Sequence, residues 1–363
     1  MAREHKLIKR FVDQYDIDLT GLTVLTEAAS GAYLHNPLIA AQAGAKVICV
    51  VKDSRFASAE SVSSTLFDQA DMLGLSNQVE VLNSLDESKL SSVDIVTNSG
   101  LVRPINRVFI NNLKPTCVIP LMWETWEFRH TDFDIFACKE KGILCLGTDE
   151  SVAPLSMDQY AGILSVRLLF ELGLEVYKNN IALIGENKFA ERIASYLELM
   201  GCTVHLFAED ELIVQGACQN IYPRNSFRNW FKVNGSTIDA VLVADLVSDD
   251  CLTNKNGLLE PEYIARINSD VKIGVLAGVI KYAEIESKNL ACHPKIDTPA
   301  HFMSYQLYDI GPAPIMELFA AGLKVGEIMA RLRLSGHNVL DTAKKSITSS
   351  PLVMDFEGDL SWV

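Results

Sequence analysis

The sequence predicts an α/β protein of two doubly wound parallel-sheet domains bridged by two long helices. Three observations carry that prediction. Residues 180–207, NIALIGENKFAERIASYLELMGCTVHLF, run from an apolar β stretch through an abrupt glycine turn into an amphipathic helix and a second β stretch. Before residue 150, short apolar runs alternate with helical patterns, the layout of a parallel sheet with helices on both faces. Two long apolar helical segments, near 156–172 and 313–334, flank the second half of the chain.

At 363 residues the chain is long for one core, so two domains are expected, and 48% hydrophobic residues suffice to fill both. No apolar run reaches the roughly 18 residues that span a bilayer. The start, MAREHKLIKRFVDQYDIDL, is mixed in charge and lacks the apolar stretch of a secretory signal. A net charge of −14 argues against nucleic acid or an anionic membrane as partner. The eight cysteines are scattered, with no C-x-x-C pair and no Cys/His spacing suited to a metal. Reduced, mostly buried cysteines in a cytoplasmic protein are the expectation.

Residues 1–20 read as an amphipathic helix and lead-in. Strands are expected at 22–28, 46–51, 79–82, 93–97, 116–121 and 142–146. Helices are expected near 37–43, 59–73, 107–113 and 134–140. This first domain, 1–155, is read as a flavodoxin- or Rossmann-like substrate domain. In the second, 156–310, strands at 181–184, 203–207, 240–244 and 272–276 carry a helix at 261–267 between the last two. Residues 210–236 are the least patterned and are assigned at most an irregular helix. Residues 311–335 form a helix returning to the first domain, and 336–363 a loosely held polar tail.

The turn at 185–190 bears on cofactor binding. A dinucleotide-binding turn reads G-x-G-x-x-G; this chain reads Gly185-Glu186-Asn187-Lys188-Phe189-Ala190. The first glycine makes the turn and is present. The second lets a pyrophosphate approach the backbone, and Asn187 puts a side chain there; the third packs helix on strand, which Ala190 tolerates. The helix start still offers N–H groups to an anion, while Glu186 and Glu191 oppose it and Lys188 partly compensates. The candidate cofactor residues are Gly185, Glu186, Asn187, Phe189, Ala190, Glu209, Ala244 and Asp245.

The order of pieces resembles the D-2-hydroxyacid dehydrogenase superfamily, the formate and glycerate dehydrogenase-like proteins. The likeness rests on residues 93–100 (VDIVTNSG), on 133–148 (FDIFACKEKGILCLGT), and on the unit at 180–207 with later strands at 239–245 and 271–279. It covers roughly residues 90–335. It implies a Rossmann NAD(P)-binding second domain, a small anionic metabolite as substrate and a homodimer. The departures are specific. Ala277 stands where the family has a substrate-gripping arginine, and no matching glutamate orients a histidine. The turn Thr298-Pro299-Ala300-His301 is one residue longer than the family's, and Ala208 precedes Glu209 and Asp210 where an acid would meet the ribose. Related folds with other chemistry, such as S-adenosylhomocysteine hydrolase and alanine dehydrogenase, stay open.

Candidate chemistry then falls at strand ends. His301 is a candidate acid–base, with His293 as rival and a loop-capping role as the plain alternative. The segment 122–129, MWETWEFR, follows a strand; Glu124 is a candidate acid or base, Arg129 an anion holder and Trp123 a wall, against an ordinary surface loop with an Arg–Glu pair. Asn98, Ser99 and Gly100 offer an amide and backbone N–H groups to a carboxylate, with Arg103 just beyond. Residues 27–33, EAASGAY, with Asp53 after the next strand, are similar to an S-adenosylmethionine-binding turn. Asp149 and Glu150 read as an acidic lead-in to a helix. The expectation is an NAD(P)-dependent oxidoreductase-like homodimer acting on a small anionic metabolite. The alternatives are an S-adenosyl- or nucleoside-handling enzyme and a catalytically silent relative that binds a ligand or partner.

Overall fold

The computed structural model describes residues 2–85, 87–209 and 218–363; the side chains of Ala2, Asn187 and Lys188 lie outside that description. The chain forms two compact units, 1–157 with 311–363, and 158–310.

In unit 1 the apolar runs become β1 (Thr23–Glu27), β2 (Lys46–Val50), β3 (Val79–Leu82), β4 (Ile95–Val96), β5 (Val118–Pro120) and β6 (Leu144–Thr148). All six are parallel, and their unbroken Val, Ile, Leu and Cys runs fit strands covered on both faces. The helices are α1 (Ala2–Gln14), α2 (Asn36–Gln42), α3 (Ala59–Leu73), α4 (Glu87–Leu90), α5 (Arg107–Asn112) and α6 (Ile135–Lys141). Ser58 caps α3 by accepting from Ser61 N, and Asp134 caps α6 by accepting from Ala137 N. Gly142 ends α6 in the left-handed region at φ 73°.

Unit 2 holds α7 (Asp158–Glu171), β7 (Asn180–Gly185), α8 (Asn187–Leu199), β8 (Thr203–Ala208), β9 (Asn220–Pro223), α9 (Phe227–Asn234) and β10 (Ala240–Ala244). It continues through α10 (Pro261–Ile267), β11 (Lys272–Ala277), α11 (Tyr282–Glu286) and β12 (Ala291–His293). The chain then returns to unit 1 with α12 (Ala313–Leu334), α13 (Val339–Ser349) and β13 (Val353–Met354).

The sheet of unit 2 has the order β12-β11-β10-β7-β8-β9, all parallel. That is the doubly wound 3-2-1-4-5-6 order, with its topological switch point between β7 and β10. Unit 1 repeats it as β13-β6-β5-β4-β1-β2-β3, switching between β1 and β4. The expected fold class of two doubly wound parallel sheets therefore holds, and unit 1 has the Rossmann order rather than the flavodoxin one.

Three details differ from the sequence reading. Residues 336–363 are not a loose tail: α13 packs on α12, and β13 adds an antiparallel edge strand to β6, Val353 opposite Thr148. Within 210–236 the chain forms β9 and α9, while 210–217, with Asp210, lie outside the described residues. The acids Asp149 and Glu150 do not lead directly into a helix, because α7 starts only at Asp158. Among the described residues no helix is long and apolar enough to cross a membrane.

Candidate functional site

The switch point of unit 2 is built by close backbone packing. A Cβ on Gly185 would stand 2.6 Å from Ala190 Cβ and 2.7 Å from the Ala244 carbonyl oxygen. Glycine is required there so that α8 can lie on β7 and β10. Ala190 is buried, and Phe189 packs partly buried against the same core. Glu186 precedes α8 in extended conformation, φ −124°, and its side chain does not cap the helix.

That carboxylate instead joins a buried ion network. Arg224, just past β9, puts Nη1 3.0 Å from Glu186 Oε1 and Nη2 2.5 Å from Asp245 Oδ2. Glu186 Oε2 accepts from Glu209 N at 3.1 Å, and Asp245 Oδ1 accepts from Val247 N and Ser248 N. All three side chains are at most 9% exposed. In the sheet order β9 and β10 are three strand spacings apart, about 14 Å. A guanidinium from the end of β9 that touches residues at the ends of β7 and β10 therefore lies over the switch point, where a dinucleotide binds. Burial raises the Glu186 pKa, against the lowering pull of Glu209 N–H and Arg224.

In its backbone the crevice has the dinucleotide form. In its side chains it carries two carboxylates and one guanidinium, a formal excess of negative charge beside the α8 N–H groups that an anionic pyrophosphate would use and that Glu186 leaves uncapped. The Glu209 N–H is spent on Glu186, and the Glu209 side chain is exposed.

His301 lies in the loop after β12 at φ 60°, a left-handed conformation for a non-glycine residue. Its Nδ1 meets the Leu246 carbonyl at 2.9 Å, and its Nε2 stands 3.1 Å from Asp249 Oδ1. Both ring nitrogens thus lie within hydrogen-bonding reach of the chain's own acceptors, a carbonyl and a carboxylate. Asp249, 52 residues earlier, had no signal in the sequence. His293, the rival, closes β12 opposite Gly274 and puts its ring edge-on to Tyr305 at 5.5 Å.

In unit 1 the loop after β4 is already committed. Glu27, buried at the end of β1, accepts from Leu101 N at 2.5 Å and from Gly100 N. Burial raises its pKa, opposed by those N–H groups and by Arg103 and Lys52. Asn98 Oδ1 accepts from Met122 N at 2.9 Å, and Ser99 Oγ bonds Thr97 Oγ1 at 2.9 Å; both residues are buried. Of the donors read from the sequence as a carboxylate site, the Gly100 N–H is thus met by Glu27, and the Asn98 and Ser99 side chains are held in place by the chain's own groups.

Arg103 bonds Asp132 Oδ2 at 2.6 Å and stacks over Trp123 at 5.2 Å. Glu124 accepts from Trp126 Nε1 at 2.5 Å, which orients a carboxylate read as an acid or base. Glu127 is surface-exposed as a residue, yet its carboxyl is crowded by surrounding protein and then by Glu124, and its pKa rises to about 7. Arg129 opposes that shift and, with Asn98, Trp123 and Asp132, lines a cavity of about 20 Å³. Asp53 accepts from Ala59 N at 2.8 Å, so its carboxylate holds the start of α3. Among the described residues no group of three or more His, Cys, Asp and Glu is placed to hold a metal ion.

No family model matches the chain, and no curated protein matches its sequence. Solved structures do match. A dipicolinate synthase structure from Bacillus halodurans is 12% identical with a TM-score of 0.51, over 84% of this chain and 96% of that one. A dipicolinate synthase structure from Bacillus subtilis is 10% identical, TM-score 0.53, over 85% and 96%. The pyruvate reductase of Chlamydomonas reinhardtii is 12% identical, TM-score 0.50, over 87% and 98%. At such identities the likeness shows the fold alone, two doubly wound α/β units in one chain.

Proposed function

We propose that this chain is an oxidoreductase-fold protein that handles a small anionic metabolite and keeps the dinucleotide crevice of unit 2 closed with its own ion network. The Glu186–Arg224–Asp245 network carries this reading, because a pyrophosphate entering the switch point would have to displace two buried carboxylates from one guanidinium. It belongs to the class of ligand-binding relatives that no longer transfer hydride.

The second reading is an NAD(P)-dependent oxidoreductase on the same kind of metabolite. It is supported by the switch-point backbone at Gly185, and by a histidine beside a carboxylate, His301 with Asp249, whose pairing would have to open for Nε2 to meet a substrate. The likeness to a pyruvate reductase points the same way. In that reading a nicotinamide supplies the hydride, while His301 delivers or accepts a proton at a carbonyl oxygen. The S-adenosyl reading finds Asp53 engaged at the start of α3 and gains no support.

Calorimetric titration with NADH, NADPH, S-adenosylmethionine and S-adenosylhomocysteine separates the three. The closed crevice predicts no binding of any of them; micromolar NADH or NADPH would overturn it in favour of the second reading. The protein is further read as a cytoplasmic homodimer, with the exposed Ile163 and Phe170 of α7 as the apolar face that favours self-association. Light scattering at the monomer mass removes the dimer.

A further inference from the structure

Unit 1 carries a cavity whose lining comes wholly from its own residues. It measures about 390 Å³ and opens beyond the ends of β2, β3 and β4, between Lys52, Asn83 and Arg103. Metabolite pockets start at roughly 300 Å³, and open α/β sheets bind ligands outside the carboxyl ends of their strands. The neighbouring cavity beside Trp123 and Arg129, at about 20 Å³, has room for little more than a water molecule. Arg103 stands in the wall of both.

The larger cavity is apolar below and carries Lys52 and Arg103 at its rim, both of which also face the buried Glu27 carboxylate. Leu90, Val102 and Phe109 are buried side chains in its wall. Lys52 is exposed and makes no ion pair or hydrogen bond among the described residues. Arg103 is held in place through Nη1 by Asp132, and its Nε and Nη2 have no hydrogen-bond partner among the described residues. The carboxylate described in the wall, Glu87, accepts from Asn112 Nδ2 at 3.0 Å. A fixed guanidinium and an exposed ammonium above an apolar floor suit a compact body carrying one anionic group.

We infer that this cavity is the metabolite site: it binds a small organic anion, a carboxylate or phosphate monoester with a compact apolar body, whose charge is met by Lys52 and Arg103. This deepens the metabolite-handling reading and moves its site away from Asn98, Ser99 and Arg129. The test is calorimetric titration of the full chain with phenylpyruvate, phenyl phosphate and the neutral phenylacetamide, on wild type and Lys52→Gln. At least one anion should bind and the amide should not; whichever anion binds tighter tells carboxylate from phosphate. Lys52 is exposed, so Lys52→Gln should fold normally and weaken the anion about tenfold, the loss of one charge-assisted contact. Equal binding of the amide, equal binding by Lys52→Gln, or no binding of either anion at millimolar concentration overturns the inference. NADH titrated into the same samples reports on the closed crevice alone, so the two claims fail separately.

Discussion

Arg224 is the residue on which the crevice of unit 2 depends, and its removal leaves Glu186 and Asp245 facing each other without a cation. Breaking a buried network from one side costs about 3–5 kcal/mol, so Arg224→Ala should lower the urea midpoint sharply with an unchanged slope. Loss within ~0.5 kcal/mol, as at a surface position, would mean that the network is not buried in solution. Glu27 makes a different case. Its pKa is raised by burial, so its stabilising contribution is fully present below the ordinary carboxylate range. That contribution is lost as pH rises through the higher folded value. Glu27→Gln keeps an acceptor for Leu101 N and removes the titration. The variant should therefore match or exceed wild type at neutral pH, and that advantage should shrink as pH falls through the raised folded value; an advantage that grows toward acid would reverse the assignment. None of these pairings was legible in the sequence. Arg224 lies 38 residues from Glu186, and His301 lies 52 from Asp249, so only the folded strand ends bring them together.

At the scale of elements the sequence was legible wherever a period could be counted. The helices α3, α7, α8 and α12 and the strands β7, β8, β10 and β11 follow their apolar patterns to within about two residues at each end. What escaped were pieces too short to carry a period, such as β12 with three residues and β13 with two. The helix α13 was passed over although Asn338 accepts from Asp341 N, a cap whose residue types are visible in the sequence. The sequence reading gave Gly185 the turn and Ala190 the packing of helix on strand; the geometry puts Gly185 in that packing as well, and it yields a prediction. A Cβ at Gly185 meets the Ala190 side chain and the Ala244 backbone, neither of which is a flexible tip. Gly185→Ala should thus cost about 1–3 kcal/mol through overpacking, measured by chemical denaturation. A neutral result would show that α8 can move off β7, and with it that the crevice can open.

For the whole molecule, the decisive feature is which residues fill each core. The two hydrophobic clusters of unit 2 draw their buried members from residues 161–305, entirely within 158–310. Unit 1 is different. A cluster built around Leu25, Ile119 and Cys145 also needs Phe356, with Leu360 and Trp362 packed against it. The helix α12 lies on α1, α2 and strands β4, β5 and β6, and β13 completes the sheet at β6. Where the chain divides thus differs from where a core can form, because unit 1 closes only after the last segment has been made. At both switch points buried carboxylates are engaged within their own unit, Glu27 by the Gly100 and Leu101 N–H groups, and Glu186 and Asp245 by Arg224. A fragment of residues 158–310 should therefore fold alone, with a cooperative melt and near-ultraviolet dichroism from Phe227, Trp230 and Phe231. Residues 1–157 alone should show neither, and joining them by a short linker to 311–363 should restore both. Cooperative folding of 1–157 by itself would mean that α12, α13 and β13 cover a finished core; failure of 158–310 would mean that its two clusters are not sufficient for stability.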